Sequence, residues 1–566
     1  MKSFIYRVVD RIALTSAITA SLLVIISTGE LHAQSLKMDW LGYFTSSWTV
    51  DGRGVVKDSN GNTYVSGDYA FTADFDQGPG KIERTAVGNS DIFLAKFDGT
   101  GLLQWTASKG TTGWEHNYDL VLDQFGNPLL SGNMGDEAFL ANYNSTGAHL
   151  WERRLMGSGF ATITSVAVDY QGNIITAGIF SGIIDFDPSN NQFLMDGSVR
   201  EAFIAKFNPN GHFIWAREVN VDSAQSSTYG ESLSVDEHGG IYLMGHGTGH
   251  MDLNTDGSAQ NFYQSIGING TDDLFLIKLN KQGKYQWSYG FGSVETDYAV
   301  SVSVHGAGVY NTGYVNATVD FDPGPGTDAI NTNTLTGYLQ KFDTSGNYQW
   351  VRRAPGVFMT ASRSMMASQD GFVYWCSSFR DQATIPTQNG TVFMKSAGDF
   401  DNCLLKVDAS GQFIWAEHVH KGLGLERAWD LHAHNDGTIV ITGDFDDLTE
   451  IRCGDDSIRH SPQNHWDAFI QHISDTSFYN STKKYANSLD VKVYPNPTSG
   501  LLTISGLTDN FTDIHVFDLL GHKQQLSIQR GPASIFLNLD QLPQGMYVLS
   551  MVSGQQRLNK RIMVKR

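Results

Sequence analysis

Cysteine and charged side chains are scarce in this sequence. Its 566 residues include three cysteines, Cys376, Cys403 and Cys453, an odd number that is too small for a disulfide framework. Charged residues make up 17% of the chain, whereas aromatic residues make up 12% and 59 residues are glycine. This balance is typical of many short strands joined by tight turns, so the composition predicts an all-β chain that is stabilised by packing.

Positive charge and long apolar runs are also in short supply. The formal net charge is −20, which makes nucleic acids and acidic membranes poor partners. Three basic residues precede the apolar run 12–26, and Ala33 offers a small residue before a cut. The pattern predicts a secretory signal over residues 1–33 and a mature chain that begins near Gln34. A membrane anchor is the alternative, but the run is short for a span, and no other stretch approaches the roughly 18 apolar residues required.

One strand pattern occurs seven times. Its copies are DIFLAKF from Asp91, EAFLANY from Glu137, EAFIAKF from Glu201, DLFLIKL from Asp273, TGYLQKF from Thr336, DNCLLKV from Asp401 and DAFIQHI from Asp467. Six copies continue into a turn that ends in glycine, where Asp or Asn bonds its own backbone and Gly takes a positive φ. A tryptophan then follows at a fixed offset: Trp105, Trp151, Trp215, Trp287, Trp350 and Trp415. Each of these copies is therefore predicted to begin a hairpin.

A second pattern precedes each copy of the first. It is a turn and strand such as DSNGNTYVSG at Asp58, and the short strand before it alternates apolar residues such as Val166 with small polar residues such as Ser165 and Ser232. This period of two indicates one buried face. Each repeat thus has four strands, and seven such repeats predict a seven-bladed β-propeller, because radial packing buries both faces of each sheet.

The seventh copy lacks its tryptophan strand, and the N-terminal end supplies a candidate. Trp40 lies 18 residues before Asp58, just as Trp105 lies 18 residues before Asp123. We therefore predict that the strand containing Trp40 pairs with the strand that begins at Asp467, which removes two open sheet edges.

Over residues 36–474 the succession V-x-V-D-x-x-G-N, D-A-F-x-A-K-F and x-x-W resembles bacterial β-propeller repeats of the SBBP type and, more loosely, NHL-type blades. Six repeats depart from that pattern by an insert between the second and third strands. The resemblance implies a fold for residues 34–474 but no chemistry.

The sequence pattern changes after Ser474. A polar stretch at 475–484 is typical of a linker, and residues 485–566 alternate as in a small Ig-like β-sandwich. Tyr494-Pro495-Asn496-Pro497, Gly500, the segment LPQGMYVL and the basic C-terminal end are similar to the type A C-terminal sorting domain of the type IX (Por) secretion system of Bacteroidetes. That resemblance implies passage through the periplasm, contact with the type IX machinery, and secretion or attachment to the outer cell surface.

The candidate ligand site lies in the loops that lead from each tryptophan strand to the next inner strand. These loops emerge on the same face as the inserts and hold aromatic and charged side chains, a composition typical of binding sites. The candidates are Trp48, Trp114, Glu115, Tyr229, Tyr298, Arg363, Arg427 and Trp429. The alternative is that these aromatic side chains cap the blade cores.

Three inserts carry a D-F-D motif that invites a calcium interpretation, because carboxylates and backbone carbonyls are the ligands that a hard cation prefers. The candidate ligands are Asp74, Asp76, Asp185, Asp187, Asp320 and Asp322. Nothing supplies the spacing of an EF-hand loop, and aspartate in such a position more often closes a turn. No cofactor is therefore expected, with calcium as the one candidate.

Motifs of known catalytic chemistry are missing from the sequence. No nucleophile elbow, P-loop, dinucleotide fingerprint or zinc-protease helix occurs, and no catalytic residue is assigned. The sequence favours a secreted or surface-displayed binding or adhesion propeller for an extracellular glycan or protein. The alternative is a secreted carbohydrate-active enzyme, a glycosidase or lyase, which would require carboxylates from different blades to converge on the central pocket.

Overall fold

The computed structural model describes residues 36–565 apart from 77–79, 190, 268–269, 355–363, 370, 455, 463–464, 477–491, 495–497, 506–510, 518–522, 525, 531–533 and 554–555. The predicted signal at 1–33, Arg363, the Pro495-Asn496-Pro497 motif and residues 477–484 of the predicted linker lie outside the described residues. The chain divides into two compact units, Met1–Asp475 and Thr476–Arg566. Within the described ranges, no helix is long and apolar enough to cross a bilayer.

The first unit is built from short strands. In chain order they begin with β1 (Leu36–Ser46), β2 (Val50–Lys57), β3 (Thr63–Tyr69), β4 (Thr72–Asp74), β5 (Glu83–Thr85), β6 (Asp91–Phe97), β7 (Leu103–Lys109), β8 (Glu115–Leu122), β9 (Pro128–Met134), β10 (Glu137–Tyr143) and β11 (His149–Gly157). They continue with β12 (Phe160–Val168), β13 (Ile174–Asp185), β14 (Leu194–Phe207), β15 (Phe213–Val219), β16 (Ser227–Val235), β17 (Ile241–Thr248), β18 (His250–Asp252), β19 (Phe262–Gln264), β20 (Asp273–Leu279) and β21 (Tyr285–Phe291).

The remaining strands of this unit follow the same scheme. They are β22 (Tyr298–His305), β23 (Gly308–Val315), β24 (Val319–Asp320), β25 (Ala329–Ile330), β26 (Thr336–Asp343), β27 (Tyr348–Arg353), β28 (Ser364–Ala367), β29 (Val373–Phe379), β30 (Gln382–Thr387), β31 (Gly390–Lys395), β32 (Asp401–Val407), β33 (Phe413–Gly422), β34 (Glu426–Ala433), β35 (Thr438–Phe445), β36 (Thr449–Cys453), β37 (Asp456–His460) and β38 (Asp467–Asp475).

Four-stranded antiparallel arrays are the building block of the first unit. In order, arrays 1 to 7 are β2-β3-β6-β7, β8-β9-β10-β11, β12-β13-β14-β15, β16-β17-β20-β21, β22-β23-β26-β27, β28-β29-β32-β33 and β34-β35-β38-β1. The first strand of each array contacts the first strand of the next, and β34 contacts β2. This radial arrangement of antiparallel sheets confirms the predicted all-β propeller.

The fourth strand of array 7 comes from the N-terminal end of the unit. Strand β1 pairs antiparallel with β38, with Tyr43 opposite Phe469 and Trp40 opposite His472. The rings of Trp40 and His472 stack with their centroids 5.1 Å apart. This pairing satisfies the backbone groups of two strands that would otherwise be open edges.

The repeated lysine and tryptophan hold neighbouring arrays together. In array 5, Lys341 Nζ and Trp350 Nε1 both donate to the carbonyl of Ala409, at 2.8 and 3.1 Å, in the glycine turn of array 6. Array 1 contacts array 2 in the same way through Lys96 and Trp105. The A-K-F and Trp motifs of the repeat are therefore an inter-array clasp.

The turn glycines belong to the same clasp. Gly283 has a φ of +72°, and a Cβ atom on it would lie 2.9 Å from the indole of Trp215 in the preceding array. Glycine is required at this position both by the backbone conformation and by the close approach of the ring.

Cys376 and Cys403 lie on neighbouring strands but cannot bridge. The register places Cys376 opposite Leu404 and Cys403 opposite Ser377, and the two thiols belong to different core clusters, on opposite faces of the sheet. None of the three cysteines forms a disulfide and all three are buried, so they act as small apolar residues of the core.

The second unit consists of two four-stranded antiparallel sheets. Its strands are β39 (Lys492–Tyr494), β40 (Leu501–Ser505), β41 (Phe511–Phe517), β42 (Lys523–Gln524), β43 (Ser527–Arg530), β44 (Ser534–Asn538), β45 (Gly545–Ser553) and β46 (Gln556–Val564). The sheet orders are β39-β40-β44-β43 and β42-β41-β45-β46. Alternate residues of both sheets, such as Leu502, Leu537, Val516 and Leu549, share one buried core, as in a β-sandwich.

Candidate functional site

A β-bulge recurs at the same place in the inner strands. The pairing register between the first and second strands skips one residue in six arrays: Arg53, Tyr118, Thr164, Glu231, Val300 and Trp429. A bulge redirects its side chain away from the alternating faces of the sheet. All six residues line a single, partly open cavity of about 160 Å³ between the inner strands.

Small polar side chains next to the bulges link the inner strands around this cavity. Asp119 accepts a hydrogen bond of 2.8 Å from the amide of Val166 in the next array. Asp430 likewise accepts 2.8 Å from the amide of Val55, which connects array 7 to array 1. Ser165 and Ser232 accept equivalent bonds from the amides of Leu233 and Val302 at 3.2 and 3.1 Å. The alternating serines of the repeat are therefore bonded across neighbouring arrays.

Asp119 and Asp430, the two aspartates that link inner strands around the cavity, are protonated at a higher pH than an ordinary aspartate. Burial raises the pKa of Asp119 to about 6, against the opposing effect of the amide of Val166. Burial and the charge of Asp119 raise the pKa of Asp430 to about 7. Both shifts follow from the cost of placing a carboxylate in a medium of low polarity.

Asp430→Asn is expected to change how stability depends on pH. An aspartate in the unfolded chain titrates near pH 3.9, so above about pH 4 the folded state retains a proton that the unfolded state loses. The stabilisation from this site is therefore full below about pH 4 and is lost as the pH rises through about 7. The amide of Asn keeps an acceptor for Val55 but does not titrate.

The measurement is the free energy of unfolding of the wild type and of Asp430→Asn in urea at pH 5, 6, 7 and 8. The wild-type value minus the variant value should fall steadily as the pH rises. A difference that is constant with pH would show that Asp430 does not titrate in this range.

One wall of the cavity is aromatic and carries a carboxylate. Tyr298 lies 4.9 Å from Tyr314 and 5.3 Å from His246, measured between ring centroids. Tyr229 stacks on the other side of this cluster, 5.0 Å from His246. Glu231 places Oε1 3.9 Å from Nδ1 of His246, so a carboxylate lies beside the imidazole that these tyrosine rings contact.

The opposite wall combines tryptophan with arginine. The guanidinium of Arg53 lies 4.0 Å from the ring centroid of Trp429, and that of Arg427 lies 4.9 Å from the same ring. Trp429 Nε1 donates to Asp444, and Arg53 donates to Asp51 at 2.7 Å. Arg53 and Arg427 are thus each paired with a neighbouring carboxyl group, Asp51 and Asp444 respectively.

The structure brings together some of the predicted ligand residues. Tyr298 and Trp429 line the cavity, while Tyr229 and Arg427 contact residues that line it. Trp48 instead lies beside His465, with ring centroids 4.2 Å apart.

Trp114 and Glu115 are not among the residues that line the cavity. Trp114 is exposed and stacks loosely on His116. Glu115 is fully buried, receives a hydrogen bond from Thr111 and fastens its own backbone to Ser90. Its backbone contributes to the connection between arrays 1 and 2, and ligand binding by Trp114 and Glu115 stays a prediction.

Sequence reasoning passed over several cavity residues, namely Arg53, Tyr118, His246 and Tyr314. For Arg53 and Tyr118 the available signal was a position just before a small residue of the inner strand, whereas His246 and Tyr314 lie on the second strands β17 and β23 and carry no such signal. A strictly alternating strand would place Arg53 or Tyr118 on a sheet face, and only the bulge turns it towards the cavity.

The D-F-D inserts have a structural role in the described residues. The first aspartate of each motif closes its loop: Asp185 Oδ1 accepts hydrogen bonds from the amides of Asp187 and Phe193 at 3.0 and 2.9 Å. Asp74 binds the amides of Asp76 and Ile82, and Asp320 those of Asp322 and Asp328.

The central phenylalanine of each motif packs into the array core. Phe186 is fully buried, with its ring 4.9 Å from that of Phe203, and Phe75 and Phe321 occupy equivalent positions. Among the residues that the structure describes, no three His, Cys, Asp or Glu side chains are grouped as a metal site would require. Calcium binding at the six aspartates stays a prediction.

Comparison with known proteins identifies one part of the chain and finds distant resemblances for the rest. An uncharacterized WD repeat-containing protein of Acanthamoeba polyphaga mimivirus is 23% identical over 489 residues, which are 70% of this chain and 35% of the viral protein. The chain thus spans about a third of the length of that relative.

Two solved structures resemble the fold at low similarity. Drosophila Semaphorin 2a has a TM-score of 0.37 at 7% identity and covers 93% of this chain and 98% of its own. A Synechocystis apocarotenoid oxygenase has a TM-score of 0.36 at 10% identity and covers 75% and 94%.

The second unit has a direct family match. Residues 492–565 match the family described as a secretion system C-terminal sorting domain. This match confirms the sorting prediction for the strands β39 to β46, and it implies the type IX secretion machinery as a partner. The chain therefore carries a C-terminal sorting domain and is secreted or attached to the outer cell surface.

Proposed function

We propose that the first unit is a seven-bladed propeller of the SBBP type that binds an extracellular carbohydrate in its central cavity. In this proposal the seven arrays are the blades, residues 1–33 are a signal peptide, and the sorting domain delivers the propeller through the periplasm of a member of the Bacteroidetes. The supporting observation is that six inner-strand bulges aim aromatic, carboxylate, hydroxyl and guanidinium groups into one cavity.

The composition of the cavity suits a hydroxyl-rich ligand with flat apolar faces. Tyr298 and Trp429 offer aromatic surface on opposite walls, and Glu231 and Tyr118 offer acceptor and donor groups for hydroxyls. Sites for small molecules typically combine apolar contact area with a few polar groups that fix orientation. A cavity of about 160 Å³ has room for one sugar ring rather than a folded peptide.

The charges of the cavity favour a neutral or cationic sugar over an acidic one. Glu231, Asp119 and Asp430 line it, whereas its one arginine, Arg53, is paired with Asp51. A carboxylated or sulfated sugar would be repelled by the carboxylate of Glu231 and, as the pH rises through about 6 and 7, by those of Asp119 and Asp430.

Binding is better supported than hydrolysis. Carboxylates from three arrays do converge on the cavity, as a glycosidase would require. The carboxylates of Asp119 and Asp430, however, accept hydrogen bonds from backbone amides on both sides, including those of Leu120 and Leu431 at 2.8 Å. They are occupied in joining the arrays, so among the described residues that line the cavity Glu231 has no second carboxyl group that is left for catalysis.

Tyr298→Ala and Glu231→Gln are expected to weaken sugar binding by about 1–3 kcal/mol each, the usual cost of losing an anchoring ring or a charged hydrogen bond. Neutral, amino and acidic monosaccharides and oligosaccharides are first screened on an array with the full chain, and the bound sugars are then titrated by calorimetry.

Tyr170→Ala and Glu237→Gln are the matched controls, because both side chains are exposed in turns outside the cavity. They should leave affinity unchanged. Unaltered affinity in Tyr298→Ala and Glu231→Gln, with melting temperatures retained, would rule out the cavity as the binding site.

A further inference from the structure

An exposed group of aromatic rings lies beside the junction of arrays 7 and 1. Trp48 is 47% exposed and Phe71 is 63% exposed, and their ring centroids are 6.2 Å apart. His465 flanks Trp48 on another side at 4.2 Å. Large aromatic side chains grouped on a surface in this way are more often interaction sites than accidents of folding.

The backbone at Phe71 is strained in a way that presents its ring. Its φ is +61°, a region that a bulky residue rarely adopts and that glycine would occupy without cost. The amide of Ala86 donates to the carbonyl of Phe71 at 2.7 Å and fixes this conformation. Strain that persists at an exposed aromatic side chain points to a use for that side chain.

Backbone hydrogen bonds and cation–π contacts connect this exposed group with the cavity. The amide of Trp466 donates to the carbonyl of Trp48, and the amide of Val50 donates to the carbonyl of Trp466, so the two tryptophans are held on adjacent backbone segments. The guanidinium of Arg427 lies 3.9 Å from the ring of Trp466 and 4.9 Å from that of Trp429, which lines the cavity. We call Phe71, Trp48, His465, Trp466 and Trp429 the aromatic track.

The chemistry of the aromatic track restricts its occupant. It offers separate flat faces rather than a continuous aliphatic surface, and Arg427 between them is balanced by Asp444 at 2.6 Å. An occupant must therefore present repeated flat faces and hydrogen-bonding edges without a high charge. A linear oligosaccharide has these properties, and its chain end can enter the cavity that the aromatic track reaches, whereas a lipid surface would need basic side chains.

We infer that the aromatic track is a run of subsites for a linear, uncharged oligosaccharide whose terminal unit occupies the central cavity. This inference rests on the proposed function and extends it from a single sugar to a chain end. The cavity recognises the terminal unit, and Trp466, Trp48 and Phe71 each add a stacking surface for the units that follow.

The test is a titration with oligomers of glucose and of N-acetylglucosamine, from one to six units, against the full chain. Affinity for the bound series should rise with length over the first units and then level off. The double variant Trp48→Ala with Phe71→Gly should bind the longer oligomers more weakly, by roughly 2- to 10-fold for each ring that is removed. The same variant should bind the monosaccharide as the wild type does, because neither residue lines the cavity.

Phe125→Ala is the matched control, since Phe125 is 75% exposed in the turn between β8 and β9 and does not belong to the aromatic track. Phe71→Gly relieves backbone strain, so loss of folding is not expected, and its melting temperature verifies this. If the longer oligomers bind no more tightly than the monosaccharide, or if the double variant retains the gain with length, the inference fails alone. If neither monosaccharide nor oligomer responds to Glu231→Gln, the proposed function fails and the inference fails with it.

Discussion

A chain that ends at residue 484 is expected to fold its first unit but to be absent from the medium and the outer cell surface. The matched sorting domain at 492–565 is a separate compact unit with its own core. Removing it leaves the hydrogen bonds between β1 and β38 intact, while the secretion machinery loses the segment that matches a sorting domain. Export should therefore fall to the background level.

A pair of leucine substitutions sharpens this test within the full-length chain. Leu549→Asp places a charge in the core of the second unit, where the side chain is fully buried, whereas Leu501→Asp changes an exposed residue of the same unit. The first should block export as the truncation does, because an unpaired buried charge unfolds the sandwich, and the second should not. Fractionation, protease accessibility on intact cells and the melting temperature of the retained protein are the measurements. Normal surface levels of the truncated chain would contradict the sorting role.

The second large effect concerns a buried ion pair between arrays 6 and 7. Lys406 Nζ lies 2.7 Å from Asp475 Oδ2, with both side chains almost completely buried, and the hydroxyl of Tyr374 donates to the same carboxylate at 3.0 Å. Lys406→Met should lower the free energy of unfolding by about 3–5 kcal/mol, because it leaves Asp475 buried without its counter-ion. Urea denaturation followed by tryptophan fluorescence measures the change.

Two further variants separate the ion pair from a general effect of losing lysine. Lys81→Met removes an exposed lysine that is paired with Glu83 and should cost at most about 1 kcal/mol. The double variant Lys406→Met with Asp475→Leu should recover much of the loss, because no lone charge remains buried. A cost below about 1 kcal/mol for Lys406→Met would mean that water or another group compensates Asp475.

The clasp between arrays explains why the repeat could be recognised from the sequence alone. In arrays 1, 4 and 5 the lysine and the tryptophan of the repeat both donate to one carbonyl in the glycine turn of the next array. Each position tolerates few residue types, because the lysine and the indole must reach a carbonyl and the glycine must accept both a positive φ and a ring against it. A contact that recurs with the same geometry requires the same residue types in each repeat, which makes the repeat visible in the sequence.

The candidate site was harder to predict from the sequence, because its residues occupy the same position of the repeat but are of different types. The bulge residues are an arginine, a tyrosine, a threonine, a glutamate, a valine and a tryptophan, so no motif marks them. The strongest motif outside the repeat, D-F-D, drew attention to metal chemistry, but in the described residues its phenylalanines fill array cores and its first aspartates close loops. A loop that contains several aspartates has the same sequence pattern whether its carboxylates bind a cation or the backbone amides of the loop itself.

The sequence by itself determined the strand order, the all-β class and the sorting domain, because these depend on local alternation, turn chemistry and a motif that is contiguous in the chain. It also placed Trp40 where the last array needed a strand, since the spacing of the repeat is a local property. Only the tertiary structure decided which side chains meet in the cavity. The reason is physical: a one-residue bulge redirects a side chain without altering the apolar pattern around it, and the ring of inner strands then brings together residues as distant along the chain as Arg53 and Trp429.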